Sequence, residues 1–178
     1  HVHLRRQRQM CIRDRDEIVR PLARGMADEG TPYRGILYVG LMLTGDGPQV
    51  IEFNCRLGDP EAQVILPRLR SDLVAAMLAT VEGTLGHVSL RWDNRSAVTV
   101  VMAAEGYPGA YEKGSVISGT EGVEASDDVM LFHAGTKIDD AGTVTAHGGR
   151  VLAVTGLGDD AGTARAAAYA AVDGIDWP

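Results

Sequence analysis

Cys11 and Cys55 are the only cysteines in 178 residues, so no disulfide framework is implied and a reducing, cytoplasmic setting is the simpler expectation. Basic charge is scarce as well. Lys and Arg number 17 against 24 Asp and Glu, giving a net charge of -7 and an isoelectric point near 5.1. Proteins that bind nucleic acid need a basic surface to neutralise phosphates, and this balance argues against that class. Long apolar runs are missing: the longest, Leu73 to Val81, is roughly half of the ~20 residues that cross a membrane. There is no internal repeat. No glycine-rich loop opens a helix either, because Gly45-Asp46-Gly47 reads as a hairpin turn and not as a phosphate loop. What is present is a globular composition, 45% apolar, long enough for one full domain or two small ones.

The opening residues 1–15 do not share that texture: they are strongly basic and carry almost no apolar periodicity. Transit peptides are arginine-rich and acid-poor, but the usual serines and an initiating Met are absent. The segment reads as a leader unrelated to the rest, a scar of cloning, assembly or read-through, and His1 and His3 are not taken as metal ligands.

From Asp16 onward, Ile18, Val19, Leu22 and Met26 fall at helical spacing, Pro21 predicts a kink unless the first turn starts close before it, and Gly30-Thr31-Pro32 supplies a stop. Ile36 to Leu43 reads as a buried strand, joined through Thr44-Gly45-Asp46-Gly47 to a second strand containing Glu52. Asp59-Pro60-Glu61 then predicts a helix start, with Asp59 as N-cap and Pro60 in the first turn; Pro67 interrupts that helix. Ser71-Asp72 caps another, whose stripe of Leu73, Val74, Met77, Leu78 and Val81 is expected to be core and which ends near Gly83. The polar stretch Gly86 to Arg95 suggests a domain boundary, placing one domain at 16–90 and a second at 91–178. In the second, Ala97 to Ala104, Val116-Ile117, Val129 to His133, Val144-Thr145 and Arg150 to Thr155 predict a small mixed sheet. An alanine-rich helix, Asp159 to Gly174, closes it with Ala161, Ala164, Ala168, Tyr169 and Val172 on or near one face. The fold class is α+β.

The chemistry concentrates in Val50-Ile51-Glu52-Phe53-Asn54-Cys55-Arg56-Leu57-Gly58-Asp59-Pro60-Glu61. On a strand, Glu52 and Asn54 share one face and Ile51 and Phe53 the other, and the two polar residues lie about 7 Å apart along the strand. Their oxygens can reach one hard cation, most naturally Mg²⁺, which completes its shell with water and phosphate oxygens and so implies a partner such as ATP. A Glu-x-Asn pair by itself is more often the wet side of a half-exposed strand. Arg56, a permanent cation with a fork of donors, could hold a carboxylate or a transferring phosphoryl group, or lie plainly on the surface. Asp59 and Glu61 read equally as cap and first-turn charge.

These residues, together with Tyr33-Arg34-Gly35-Ile36-Leu37-Tyr38-Val39-Gly40-Leu41-Met42, Met102-Ala103-Ala104-Glu105-Gly106-Tyr107-Pro108-Gly109, Phe132-His133-Ala134-Gly135-Thr136-Lys137 and Gly148-Gly149-Arg150-Val151-Leu152, closely resemble the phosphoribosylamine–glycine ligase family of the ATP-grasp superfamily. The resemblance runs from about Asp16 to the end. It implies the C-terminal part of an ATP-grasp lobe, a β-hairpin plus helices, followed by a small C-terminal domain.

For function the resemblance implies ATP-dependent joining of glycine to 5-phosphoribosylamine through a glycyl phosphate, a step of de novo purine synthesis. On that reading Glu52 and Asn54 hold Mg²⁺ or Mn²⁺, and Arg56 orients the acyl-phosphate region. Asp59 and Glu61 contact the amine-bearing substrates, while Arg150, from Gly148-Gly149-Arg150, binds substrate phosphate and Lys137, from Gly135-Thr136-Lys137, assists. Tight turns and a surface ion pair explain Lys137 and Arg150 as well, and His133 reads as a packing residue. Many ATP-grasp enzymes carry a further acidic ligand on the first hairpin strand, where this chain has Val39, Gly40 and Leu41. The family's glycine-rich loop and nucleotide lysine are not visible, and its chains continue past Ile175-Asp176-Trp177. The expectation is a C-terminal half that is inactive without its N-terminal half. Beside it stand a non-catalytic binding or assembly module and an ATP-grasp ligase for another acid and amine. No nucleic-acid or membrane partner is expected.

Overall fold

The computed structural model describes residues 15–124 and 127–177; apart from Arg15, the expected leader lies outside the described residues. The chain falls into two units, each assembled from two stretches of sequence. The first takes residues up to Leu57 and then Val74–Val88; the second takes Gly58–Leu73 and then everything from Ser89. The second unit is thus entered twice, at Gly58 and at Ser89, whereas the sequence reading divided the chain into two consecutive stretches.

In the first unit a single π-helical turn, Arg15–Val19, leads into helix α1, Arg20–Asp28. Pro21 lies in the first α-helical turn, where a missing N–H is tolerated. The helix stops as expected, Thr31 N donating to the Met26 carbonyl (2.9 Å) beyond Gly30. Strands β1 (Tyr38–Thr44) and β2 (Gly47–Asn54) form the expected antiparallel hairpin, Tyr38 opposite Asn54 and Thr44 opposite Gly47. A register shift falls between Gly40, which faces Glu52, and Leu41, which faces Val50.

Two expectations about packing are corrected here. β1, read as a buried strand, buries only Gly40. Helix α3 (Leu73–Glu82) forms as predicted, but its large apolar stripe is not core: Val74 is 64% exposed, Leu78 57% and Val81 70%, while the small Ala76 and Ala79 are buried. Burial follows what there is to pack against, and among the described residues of this unit only Gly40, Ala76 and Ala79 are buried.

The second unit has a true core. It contains the short helix α2 (Ala62–Ile65) with a 3₁₀ turn at Leu66–Arg68, β3 (Ser96–Ala103), α4 (Thr120–Glu124), β4 (Val129–His133), β5 (Thr136–Ile138), β6 (Val144–Ala146), β7 (Arg150–Gly158) and α5 (Ala161–Val172). β7 runs between β3 and β4, and β5 pairs with β6 in a separate hairpin. The α+β class is as expected. The sheet expected to be mixed is antiparallel at every pairing among the described residues, and Val116-Ile117, expected as a strand, makes only an isolated bridge from Val116 to Thr145.

Because β7 has neighbours on both edges and α5 over it, it is apolar almost throughout, and Val151, Leu152 and Val154 are wholly buried. The Asp160 carboxylate caps α5, accepting from Thr163 N at 2.7 Å. The alanine face sits where predicted in part: Ala164 and Ala168 are fully buried, Tyr169 is exposed. Gly156 permits the contact, since a methyl there would lie 2.3 Å from the Ala164 carbonyl oxygen and 2.6 Å from Ala168 N.

The polar stretch before β3 is bound into this unit. Arg70 N donates to the Arg91 carbonyl (2.9 Å), Asp93 N to the Arg68 carbonyl (2.7 Å), and Leu69 bridges to Trp92. The Asp93 side chain, nearly buried, receives Arg95 and Arg70. Hydrogen bonds from the Arg95 side chain and backbone, then from Arg70, hold its carboxyl well below the usual carboxylate range against the opposing effect of burial.

Candidate functional site

β2 places Glu52 and Asn54 on neighbouring positions of one face, as the two-residue repeat of a strand requires. Asn54 Nδ2 donates to Glu52 Oε1 at 3.0 Å, and both side chains are open to solvent. Amide nitrogen and oxygen are assigned from hydrogen bonding, so turning the Asn54 amide sets its oxygen beside the carboxylate oxygen instead. The Glu52 carboxylate and the Asn54 amide oxygen are the groups that would hold a hard cation such as Mg²⁺ on this face. Among the described residues no group of three or more His, Cys, Asp or Glu is placed to hold a metal ion, here or elsewhere.

Arg56 follows the pair on the loop leaving β2, its Nη1 donating to the Leu57 carbonyl at 2.8 Å. With Cys55, Leu57, Ile36, Met77 and Val81 it lines an open, mainly apolar cavity of about 450 Å³ within the first unit. Cys55 is exposed and reduced.

In the second unit Asp59 and Arg150, expected as separate substrate contacts, are brought together. Arg150 Nη1 donates to the Asp59 carbonyl and Nη2 to its Oδ2, each at 2.9 Å. The remaining carboxylate oxygen, Oδ1, accepts from Gln63 Nε2 at 2.9 Å. Asp59 therefore does not cap helix α2 as expected, because its carboxylate is taken by these two partners, and the cap position falls to Glu61. Glu61 folds its carboxylate back over the buried Gly58, where a methyl would lie 2.2 Å from Oε2.

Gln63 was missed in the sequence. Nothing local signalled it, since Asp59 lies in the turn before the helix and Gln63 within its first turn. Below them, Thr155 Oγ1, fully buried on β7, donates to the Gln63 carbonyl (2.9 Å) and lies 2.9 Å from Thr99 Oγ1.

Lys137 is not part of this group. It is exposed on β5 and lines another open cavity of about 520 Å³ with Thr120, Glu121, His133 and Thr136, where His133 Nδ1 lies 3.0 Å from Thr136 Oγ1. The glycines of the two motifs serve close backbone packing. Methyls at Gly135 and Gly148 would meet backbone atoms at 2.5 and 2.8 Å, and one at Gly149 would strike the Tyr107 ring at 2.1 Å.

Comparison with known proteins gives the arrangement its context. Residues 6–62 match the phosphoribosylglycinamide synthetase ATP-grasp (A) domain, and residues 97–178 match the C domain of the same synthetase. A phosphoribosylamine–glycine ligase of Mesorhizobium japonicum is 53% identical over 96% of this chain and 40% of its own length. The chloroplastic ligase of Arabidopsis thaliana is 50% identical over 92% of this chain and 31% of its own. The solved structure of the Thermotoga maritima phosphoribosylamine–glycine ligase superposes with a TM-score of 0.71 at 38% identity, over 86% of this chain and 37% of that one. The N5-carboxyaminoimidazole ribonucleotide synthetase of the same organism shares the fold at 18% identity, with a TM-score of 0.55. The chain thus spans about 40% of the bacterial relatives' length. With two models of one synthetase matched in order over most of its residues, this chain belongs to the phosphoribosylamine–glycine ligase family, carrying part of the ATP-grasp A domain followed by the C domain.

Proposed function

We propose that this chain supplies part of the metal-binding wall and the C domain of an enzyme that ligates glycine to 5-phosphoribosylamine with cleavage of ATP, in de novo purine synthesis. The observation that carries the reading is the meeting of Glu52 and Asn54 side chains on β2, inside the segment that matches the ATP-grasp domain. Both steps of the reaction bring anions together, so its catalysis depends on aimed positive charge and alignment. Mg²⁺ or Mn²⁺, when bound, would offset the charge of the ATP phosphates and of the reacting oxygens.

Glu52 contributes a carboxylate and Asn54 an amide oxygen to that ion. Arg56, with its neighbouring carbonyl as its recorded partner, can swing its guanidinium onto an acyl phosphate oxygen. Asp59, Glu61, Arg150 and Lys137 are proposed as contacts to glycine and the phosphoribosylamine; for Asp59 and Arg150 this requires their mutual pairing to open or to be shared with the substrate. The setting proposed is cytoplasmic; among the described residues no helix is long and apolar enough to cross a membrane.

The test joins the part of the Mesorhizobium ligase that has no counterpart here to this chain. The joined protein forms glycinamide ribonucleotide, Glu52→Gln lowers its kcat at least a hundredfold, and the 178-residue chain alone yields no glycine-dependent ADP. Full turnover by the Glu52→Gln protein would sink the metal assignment, and turnover by the chain alone would sink its reading as a fragment. Failure of the joined protein to accept phosphoribosylamine while using another amine would move it to a different ATP-grasp ligase. Failure to bind nucleotide at all would leave the binding-module reading.

A further inference from the structure

Gln63 is held at both ends. Its backbone carbonyl accepts from the buried Thr155 hydroxyl at 2.9 Å, which ties the start of α2 to β7. Its side-chain Nε2 donates to Asp59 Oδ1, also at 2.9 Å. The other amide atom, Oε1, is buried and meets no donor among the described residues. The amide therefore sits only one way round. Turning it would set oxygen against the Asp59 carboxylate and bury the NH2 group without an acceptor.

Asp59 is in turn fully engaged. One carboxylate oxygen receives Gln63 and the other Arg150, while a further Arg150 N–H goes to the Asp59 carbonyl. Two of the five donors that a guanidinium carries are thus taken by one residue, both on its terminal nitrogens. Three are left, among them Nε–H and the outer N–H beside it, and such a side-by-side pair matches two oxygens of one phosphate group. By itself the Asp59–Arg150 pair is a loose fixture, since both side chains are more than a third exposed. A carboxylate held at one oxygen swings about its last torsion, whose minima are broad, and takes the guanidinium with it. Gln63 removes that freedom, because its own backbone is pinned to the sheet.

We propose that Gln63 is a positioning residue: it fixes the Asp59 carboxylate, and Asp59 in turn aims the remaining fork of Arg150 at a phosphate monoester. The pairing of Asp59 with Arg150 is kept when the phosphate binds and is shared with it. Gln63 itself touches no substrate. The role rests on the ligase reading above for its substrate, phosphoribosylamine, and deepens that reading by naming what sets the arginine that meets the phosphate.

The test follows the Arg150 Nε–H signal in nitrogen NMR spectra of the 178-residue chain, identified by its loss in Arg150→Met. Ribose 5-phosphate is expected to shift the signal saturably, and ribose to leave it in place. Gln63→Leu weakens ribose 5-phosphate binding about tenfold, the effect of one charge-assisted hydrogen bond. Gln63→Glu weakens it as much near neutral pH and recovers toward the parent at about pH 5, where a protonated carboxyl offers Asp59 a donor in place of the amide. Acid would not repair a folding defect. In the joined enzyme Gln63→Leu raises KM for phosphoribosylamine about tenfold and leaves kcat and KM for ATP within about twofold; combined with Arg150→Met it adds nothing. This role is overturned if ribose 5-phosphate does not move the signal, if Gln63→Leu binds it as the parent does, if the Gln63→Glu deficit is the same at both pH values, or if the Gln63 and Arg150 effects on KM add. A chain that binds ribose 5-phosphate with this dependence on Gln63, yet forms no glycinamide ribonucleotide once joined, keeps the role of Gln63 and loses the ligase reading. Turnover that is indifferent to Gln63 does the reverse, so the two fail separately.

Discussion

Arg150 and Asp59 are 91 positions apart in sequence, yet one guanidinium holds both the carbonyl and the carboxylate of Asp59, each at 2.9 Å. This fork ties the turn before α2 to the first residue of β7. Both side chains are more than a third exposed, so solvent screening leaves the pair worth about 1 kcal/mol. Arg150→Met and Asp59→Asn should each lower Tm by about 2–4 °C, with the double variant no worse than the worse single one. Thermal melts of the four proteins decide it, and strictly additive losses would show that the pair contributes nothing.

Thr155 is a sharper case because it is completely buried. Thr155→Val keeps the shape and removes the donor to the Gln63 carbonyl and the partner of Thr99. The expected loss is about 1–3 kcal/mol by denaturant titration, the range for stranding a buried polar group. A neutral result would mean that water replaces the hydroxyl.

Asp93 makes unit two sensitive to acid. Its folded-state carboxyl is held below the usual range by Arg95 first and Arg70 after it, so the unfolded chain takes up its proton at a higher pH than the folded one. The contribution is fully present above about pH 4, the ordinary carboxylate value, and is lost as pH falls further. Asn at this position should flatten that part of the profile: the stability gap between parent and Asp93→Asn is expected to be widest near neutrality and to shrink below pH 4. A gap independent of pH would place the effect in packing and not in charge.

Gly156→Ala sets a methyl against the Ala164 carbonyl and Ala168 N, backbone atoms of α5 that cannot give way without moving the helix. A cost of about 1–3 kcal/mol is expected. Gly122→Ala, in α4 with nothing within 4 Å of the added methyl, should be neutral or stabilising by about 0.5–1 kcal/mol. Equal behaviour of the two would disprove the close approach of β7 and α5.

Local signals in the sequence were legible and partner-dependent ones were not. The hairpin through Gly45-Asp46, the strand at Val129–His133 and the helix after Asp160 follow from turn chemistry, a short apolar run and alanine-rich helical periodicity, all of which act over a few residues. The α3 stripe was read correctly as apolar and wrongly as core, because periodicity reports which face is greasy and not whether anything lies against it. Asp59 was read as a cap for the same reason: its competitor for the carboxylate, Arg150, is 91 residues away. Of the candidate site, the adjacency of Glu52 and Asn54 was readable from strand geometry alone. The Asp59–Arg150 pairing, and the use of Gly135, Gly148 and Gly149 for backbone packing, needed the tertiary structure.

The alternating path of the chain between its two units sets a schedule for synthesis. Gln63 is made 92 residues before Thr155, the hydroxyl that will hold its carbonyl. At ribosomal speeds of about 5–20 residues per second the stretch Gly58–Leu73 waits on the order of 5–20 s for its sheet. During that interval the stretch Val74–Val88, which belongs to the other unit, has already left the ribosome. The nascent chain must therefore leave residues 58–73 open and fold around them later, and a stop or cleavage near residue 90 would strand them for good.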